Sequence, residues 1–146
     1  MQHIVVGADG SKASHRALAW AVGQARATGA TVQVVHAWTV PALGADPLAQ
    51  ALGDPRTLEA QARRELGLVV DVADERGLVS PIECTLVRGE PVRALLDAAK
   101  GADLLVVGSR GLGDGDAPLG SVSHGVIGGA PCPVVVVPPE EHPETP

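Results

Sequence analysis

Between two of the most apolar runs of the chain lies the stretch GSRGLGDGDAPLGSVS, Gly108 to Ser123. It follows a run of Leu and Val and leads into a helix-like segment. Gly108, Gly111 and Gly120 would let the backbone approach a ligand closely and adopt positive φ. The N–H groups of Ser121, Val122 and Ser123 would open a helix, where amides lack intrahelical partners and the helix dipole adds partial positive charge. Such a place suits an anion, and phosphate in particular. The hydroxyls of Ser121 and Ser123 would add hydrogen bonds. The plainer alternative is a Gly-rich strand-to-helix connection closed by a serine N-cap. Spacing alone leaves both readings open.

Other chemistries find less support. No GxxxxGK[ST] is present, so this is not a P-loop. The first strand ends in Gly7-Ala8-Asp9-Gly10, which is not the GxGxxG dinucleotide fingerprint. Ser121-Val122-Ser123-His124-Gly125 approaches GxSxG, but the first glycine is displaced. His124 follows Ser123 directly, so the two side chains would leave a helix on different sides. The five histidines are dispersed, which disfavours a metal centre. Asp114-Gly115-Asp116 is too short for a calcium loop. No catalytic residue and no metal ligand is assigned. Cys84 and Cys132 lack metal-ligand spacing and are expected as buried free thiols of a cytosolic protein.

The elements that must position this stretch alternate between short β-rich runs and longer helical ones. His3–Ala8 reads as a strand, and a helix from Ser11 to Thr28 follows with Ala17, Leu18, Ala21, Val22 and Ala25 on one face. Gly29 ends that helix, and Thr31–Ala37 is the second strand. Residues 39–53, rich in Pro, Gly and Ala, form the longest irregular stretch, which in a compact domain is usually functional or mobile. Asp54-Pro55 reads as an N-cap with Pro in the first helical position, opening a helix to about residue 76. Strand three spans Pro81–Val87. Glu90-Pro91 opens a helix that ends at Gly101, and strand four spans Asp103–Val107. A helix follows from Ser121 to Gly128, and Val134–Val137 is strand five.

Strands one, two, four and five are nearly continuous Val, Ile or Leu, the pattern of strands buried on both faces. Alternation with helices indicates right-handed βαβ units. The expected architecture is α/β, Rossmann-like: an open five-stranded parallel sheet, order 3-2-1-4-5, with helices on both faces. Ligands in such sheets bind beyond the carboxyl ends of the strands where the order reverses. That places a crevice between strands one and four, lined by Ala8-Asp9-Gly10 and by Gly108 onward.

The 146 residues suit one domain, here 1–137, with 138–146 (PPEEHPETP) as a polar tail. With no Phe and no Tyr, the core must be built from Val, Leu, Ile and Ala plus two Trp. The net charge of −6 argues against a nucleic-acid partner. No apolar run approaches the roughly 18–20 residues of a membrane span. The chain enters its first strand without a signal-like segment, so a cytoplasmic location is expected.

Four stretches together resemble the universal stress protein family. They are IVVGADGS at strand one, VVHAW at strand two, VRGEPVRALLDAAKGADLLVVGSRG through strand four, and GSVSHGVIGGAPCPVVVV at the end. The resemblance runs from Gln2 to Val137. It implies the same parallel α/β fold, of the adenine nucleotide hydrolase-like group, and a homodimer formed through the last strand. Val134–Val137 would otherwise be an exposed apolar edge.

ATP-binding members of that family share the pattern G, two residues, G, nine residues, G, then Ser or Thr. Here Gly108, Gly111 and Gly120-Ser121 match, while the spacer Leu112–Leu119 is one residue short and carries Asp114 and Asp116. Carboxylates beside a triphosphate repel it unless they face solvent or hold Mg²⁺. The resemblance implies ATP as ligand, with Mg²⁺ as its companion ion. Asp9 would accept hydrogen bonds from the ribose or adenine end, and Ala37 would recognise adenine through its backbone. Gly108 and Gly111 would pass beneath the ribose and phosphates. Gly120, Ser121, Val122 and Ser123 would cradle the phosphates, and Arg110 would offset their charge. Ala8 and Val107, the last residues of strands one and four, complete the set. Trp38, beside the adenine site, either stacks on the base or covers the rim of the core; Trp20 is expected to pack.

Three functions remain open on this reading. One is an ATP-binding module that signals through nucleotide occupancy, with any hydrolysis slow. Another is a module without nucleotide that acts by dimerisation and partner docking, through the 39–53 stretch or strand five. A third, weaker one is an enzyme that cleaves or transfers an adenylyl or phosphoryl group.

Overall fold

The computed structural model describes residues 1–40, 47, 54–75, 82–111 and 119–139. Most of the 39–53 stretch, residues 112–118 of the acidic spacer and residues 140–146 of the tail lie outside them. In chain order the elements are β1 (His3–Gly7), α1 (Lys12–Thr28), β2 (Thr31–Trp38), α2 (Pro55–Glu75), β3 (Ile82–Arg88), α3 (Pro91–Ala98), β4 (Leu104–Gly108), α4 (Ser121–Gly129) and β5 (Val134–Val137). The strands form one sheet in the order β3-β2-β1-β4-β5. Every neighbouring pair is parallel.

Strand alternation sorts the apolar side chains into two cores. Ile4, Val6, Val32, Val34, Leu104 and Val106 point to one face, against Ala17, Leu18, Ala21 and Val22 of α1 and Leu66 and Val69 of α2. Val5, Val35, Leu105 and Val107 point to the other, against Leu95 of α3 and Val126 of α4. Each fully buried Val or Leu contributes about 1.5–3 kcal/mol of transfer free energy. The Ala stripe of α1 lets that helix lie close to the sheet, and Trp20 packs against the edge of the same cluster.

Local signals set the element ends. The Ser11 hydroxyl accepts from the Ser14 N–H and caps α1, and Gly29 closes it in the left-handed region at φ 79°. Asp54 accepts from the Arg56 N–H through its carboxylate and from the Leu58 N–H through its carbonyl, with Pro55 first in α2. Ahead of β4, the Asp103 carboxylate accepts from the N–H groups of Gln2 and His3 and pins the start of β1. Those two amide bonds hold its carboxyl below the ordinary aspartate value.

Two expectations need correction. Strand β5 is half-buried at Val134, Val135 and Val136 and buried only at Val137, because it lies at the sheet edge with a neighbour on one side. The cysteines are not buried. Cys84 on the edge strand β3 is exposed and Cys132 is half-buried, although partial desolvation still raises both thiols above the ordinary cysteine value. The expected order already put β3 at an edge, and the exposure of Cys84 follows from that position, which the reading of both cysteines as buried did not take into account.

Candidate functional site

Reversal of strand order between β1 and β4 opens a cleft at their carboxyl ends, where the chain turns away to α1 on one side and toward α4 on the other. The cleft holds about 260 Å³. Ala8, Asp9, Ala37, Val107, Gly108, Arg110, Gly111, Ser121, Val122 and Ser123 all line it. Gly120 is buried behind them as the N-cap residue of α4.

The β1 side is a tight turn. The Asp9 carboxylate accepts from the Ser11 N–H at 2.9 Å, Gly10 takes φ +85°, and the Ser14 hydroxyl donates to the Ser11 carbonyl at 3.0 Å. This folds Asp9 back over the start of α1 and leaves it at the cleft wall.

The two ends of the long loop are tied together. The Gly120 N–H donates to the Ser109 carbonyl. The Ser123 hydroxyl donates to the Ser109 carbonyl at 2.9 Å, with the Gly120 carbonyl 3.1 Å away. Ser109 is itself anchored, its N–H donating to the Val137 carbonyl at the end of β5. The first intrahelical bond of α4 runs from the His124 N–H to the Gly120 carbonyl. The amides of Ser121, Val122 and Ser123 precede it and have no carbonyl four residues back within the helix. Gly120 has no side chain to cap them, and no side-chain cap is made. The start of α4 is thus an uncapped positive dipole end at the cleft.

These bonds change the roles expected of three features. The Ser123 hydroxyl serves as the clamp between the loop ends, and its side chain is 1% exposed; only its backbone amide is placed like those of its neighbours. The expected serine N-cap is instead Gly120, at φ −75°. Positive φ does not occur at Gly108 or Gly120, and is found at Gly10, Gly29, Gly89 and Gly101. Gly108 is required for a different reason. A Cβ there would lie 2.7 Å from the Ala13 Cβ and 2.9 Å from the Ser14 N. Its missing side chain admits the first turn of α1 against the end of β4.

The β2 side holds an open strand end. The Ala8 N–H donates to the Val35 carbonyl, and pairing of β1 with β2 ends at Gly7–Val35. Residues two apart in a strand direct their backbone groups the same way. The Trp38 carbonyl accepts from the Gly89 N–H on the β3 side, so Ala37 points toward β1, past its last paired residue. Trp38 does not line the cleft; the Arg88 guanidinium covers its ring at 5.5 Å. Neither expected role is seen among the described residues, since Trp38 is also not among the side chains packed on either core.

Sequence reasoning missed an apolar wall. Val35, Pro91 and Leu95 also face the cleft, with Gly7. A Cβ at Gly7 would meet the Leu95 methyl groups at 2.9 and 3.1 Å, so this glycine makes room for Leu95. It missed His36 as well, which lines the cleft and is 7% exposed. The Nδ1 of His36 contacts the Ala8 carbonyl at 2.8 Å, and its Nε2 contacts the Glu65 carboxylate of α2 at 2.8 Å. A polar residue inside the apolar run VVHAW was the available signal. Ser123 and His124 diverge as expected, one buried and one exposed. Among the described residues no group of three or more His, Cys, Asp or Glu side chains is arranged to hold a metal ion. No helix among them is long and apolar enough to cross a membrane.

The arrangement therefore offers an apolar slot beside a strand edge, a carboxylate near its middle, and uncapped helix amides at the far side. Comparison with known proteins bears on what such a cleft holds. The universal stress protein family model matches residues 1–138. A universal stress protein of Thermus aquaticus is 40% identical over 140 residues, covering 92% of this chain and 96% of its own. A universal stress protein of Mycobacterium tuberculosis is 31% identical, and this chain, 98% covered, spans 50% of that protein's length. Among solved structures, a universal stress protein in complex with cAMP is 30% identical, with a TM-score of 0.71 over 95% of this chain and 98% of that one. The Archaeoglobus fulgidus protein in complex with dAMP is 26% identical, with a TM-score of 0.64 over 94% of this chain and 98% of that one.

Proposed function

The chain belongs to the universal stress protein family, and from that premise we propose that it binds an adenine nucleotide, ATP, in the cleft between β1 and β4 and acts in the cytoplasm as a nucleotide-dependent stress-response or signalling module. One observation carries this reading. The two ends of a single cleft have complementary chemistries, an open backbone edge at Ala37 with an apolar wall on one side and the uncapped start of α4 on the other.

Each end matches one part of the ligand. Adenine is flat, largely apolar on its faces and polar at its edge, and it suits the slot beside Val35, Pro91 and Leu95 with its edge against Ala37. The Asp9 carboxylate accepts from ribose hydroxyls. The amides of Ser121, Val122 and Ser123 receive the phosphates, where the α4 dipole contributes about 0.3–1 kcal/mol or more in a partly buried setting. Gly111 and Gly120 keep side chains from under the ribose and phosphates, while Gly108, whose Cβ would strike α1, lets that helix close against the end of β4 beneath them. Ala8 and Val107 close the floor of the cleft, and Arg110 offsets phosphate charge. Asp9 is a single carboxylate, so Mg²⁺ would be held chiefly by the phosphates themselves.

Calorimetry with ATP, ADP, AMP and cAMP, each with and without Mg²⁺, tests the reading. Saturable binding with a preference for adenine over other bases is the expected result. No heat and no thermal shift at millimolar nucleotide, with no adenylate in the purified protein by mass spectrometry, would refute it. The spacer Leu112–Leu119 favours a second reading. It is one residue shorter than in the ATP-binding pattern and carries Asp114 and Asp116, which supports a module that acts by dimerisation and docking without nucleotide.

On either reading we propose a homodimer through β5. The carbonyls of Pro133 and Val137 accept from β4 and its extension, so by alternation Val134 and Val136 direct their backbone groups to the free edge. Val136→Pro removes an outward N–H while leaving the β4 pairing in place. Sedimentation should change from dimer to monomer, and an unchanged dimer would show that the copies meet elsewhere.

A further inference from the structure

We propose that His36 is a positioning residue that keeps the backbone edge of Ala37 open for a base, by drawing the Ala8 carbonyl out of the sheet ladder. The inference rests on the adenine-binding reading for the identity of the ligand, and on the sheet geometry alone for the open edge.

A parallel ladder alternates donors and acceptors between its strands. The Ala8 N–H donates to the Val35 carbonyl at 3.0 Å. The next bond in that sequence would run from the Ala37 N–H back to the Ala8 carbonyl. Here the Ala8 carbonyl meets the His36 Nδ1 at 2.8 Å instead, and the pairing of β1 with β2 ends at Gly7–Val35.

A carbonyl only accepts, so the Nδ1 nitrogen carries the donated hydrogen. The other ring nitrogen also faces an acceptor, the Glu65 carboxylate 2.8 Å from Nε2, which holds the ring from that side when Nε2 carries a hydrogen as well. Glu65 is itself contacted by Gln61, whose side-chain amide donates to it at 3.3 Å. A chain of contacts thus runs from α2 through the buried imidazole to the last residue before the Asp9 turn.

The consequence falls on Ala37. Its N–H and carbonyl point past the end of β1 into the cleft, as one donor beside one acceptor. That pair matches the edge of adenine, which offers an acceptor at N1 and a donor at the exocyclic amine. Guanine presents the opposite pattern, a donor at N1 and an acceptor at O6, and is mismatched. His36 would thereby set base specificity without touching the base.

Amide hydrogen exchange of the wild-type protein, followed by NMR without nucleotide, tests the open edge. The Ala37 amide should exchange far faster than the Val35 amide, although the two are two residues apart in one strand. Equal protection of the two would overturn the inference, whatever the nucleotide result. His36→Leu, which fills the space but donates nothing, should return the Ala8 carbonyl to Ala37 and slow its exchange. That variant should bind ATP about tenfold more weakly and lose its preference for ATP over GTP.

His36→Asn puts an amide donor near the position of Nδ1 and should restore both properties. A folded His36→Leu protein with unchanged discrimination between ATP and GTP would overturn the specificity role. If the wild type binds no nucleotide at all, the proposed function falls and so does the specificity role, while the exchange comparison still decides whether His36 opens the edge.

Discussion

Replacing Gly108 by Ala adds one methyl group at the end of β4. Built on the backbone, its Cβ lies 2.7 Å from the Ala13 Cβ, 2.8 Å from the Ala13 carbonyl carbon and 2.9 Å from the Ser14 N. Comfortable carbon contacts lie at about 3.5–4.0 Å, so the first turn of α1 must retreat by about 1 Å. Two of the three atoms are backbone, so no rotamer change relieves the overlap. Overpacking of this kind costs about 1–3 kcal/mol, and rigid neighbours place Gly108→Ala near the upper end. In a chain of this size that is about 10 °C in Tm.

The same methyl group at Gly23, in the middle of α1, meets nothing within 4 Å. Gly23→Ala should stabilise by about 0.5–1 kcal/mol through helix propensity. Urea unfolding followed by circular dichroism would measure both, with equal m-values as the sign that the denatured states are alike. The retreat of α1 also displaces Ser11 and Ser14, whose bonds shape the Asp9 turn. Nucleotide binding should therefore fall together with stability. A Gly108→Ala protein as stable as the wild type that nonetheless failed to bind would refute this reasoning, because the glycine would then serve the ligand and not the helix.

Ser123→Ala removes the hydroxyl that ties Ser109 to Gly120 and should cost about 1–2 kcal/mol by thermal unfolding, with weaker phosphate binding as the loop ends separate. Asp103→Asn should lower stability at pH 7. The wild-type carboxyl sits below its ordinary value, so its contribution is complete above the unfolded value of about 4 and is lost as pH falls through the lower folded value; urea midpoints of the variant should therefore decline less steeply below about pH 4. Both thiols are held above their ordinary value, so iodoacetamide should react slowly at pH 7 and faster above about pH 9. Peptide mapping should find Cys84, the exposed one, modified ahead of Cys132.

Much of the fold was legible because its signals are local. Val-rich runs, the Ala stripe of α1, the Asp54 cap and the terminating Gly29 each act within a few residues, and each is present in the structure, while Ser11, read as the first helical residue, is the N-cap of α1. The alternation of strands and helices then leaves few topologies, among them the observed order. The candidate cleft followed from that order, since ligands collect where it reverses. Edge strands were harder to judge. The expected order already placed β3 and β5 at the edges, but the apolar run of β5 and the small thiol of Cys84 were read as buried from residue type, and their exposure is set by having a neighbour on one side only.

The sequence by itself determined the elements, their order in the sheet and the strand ends that meet at the cleft, because periodicity, capping and chain connectivity are properties of neighbouring residues. The tertiary structure alone decided what each small or polar side chain there is for. Gly108 answers to a helix that begins at residue 12, Ser123 to a carbonyl at residue 109, and His36 to a carbonyl at residue 8 and a carboxylate at residue 65. Those partners lie tens of residues away in the chain, and a hydrogen bond or a missing methyl group has meaning only once folding has brought them within a few ångströms.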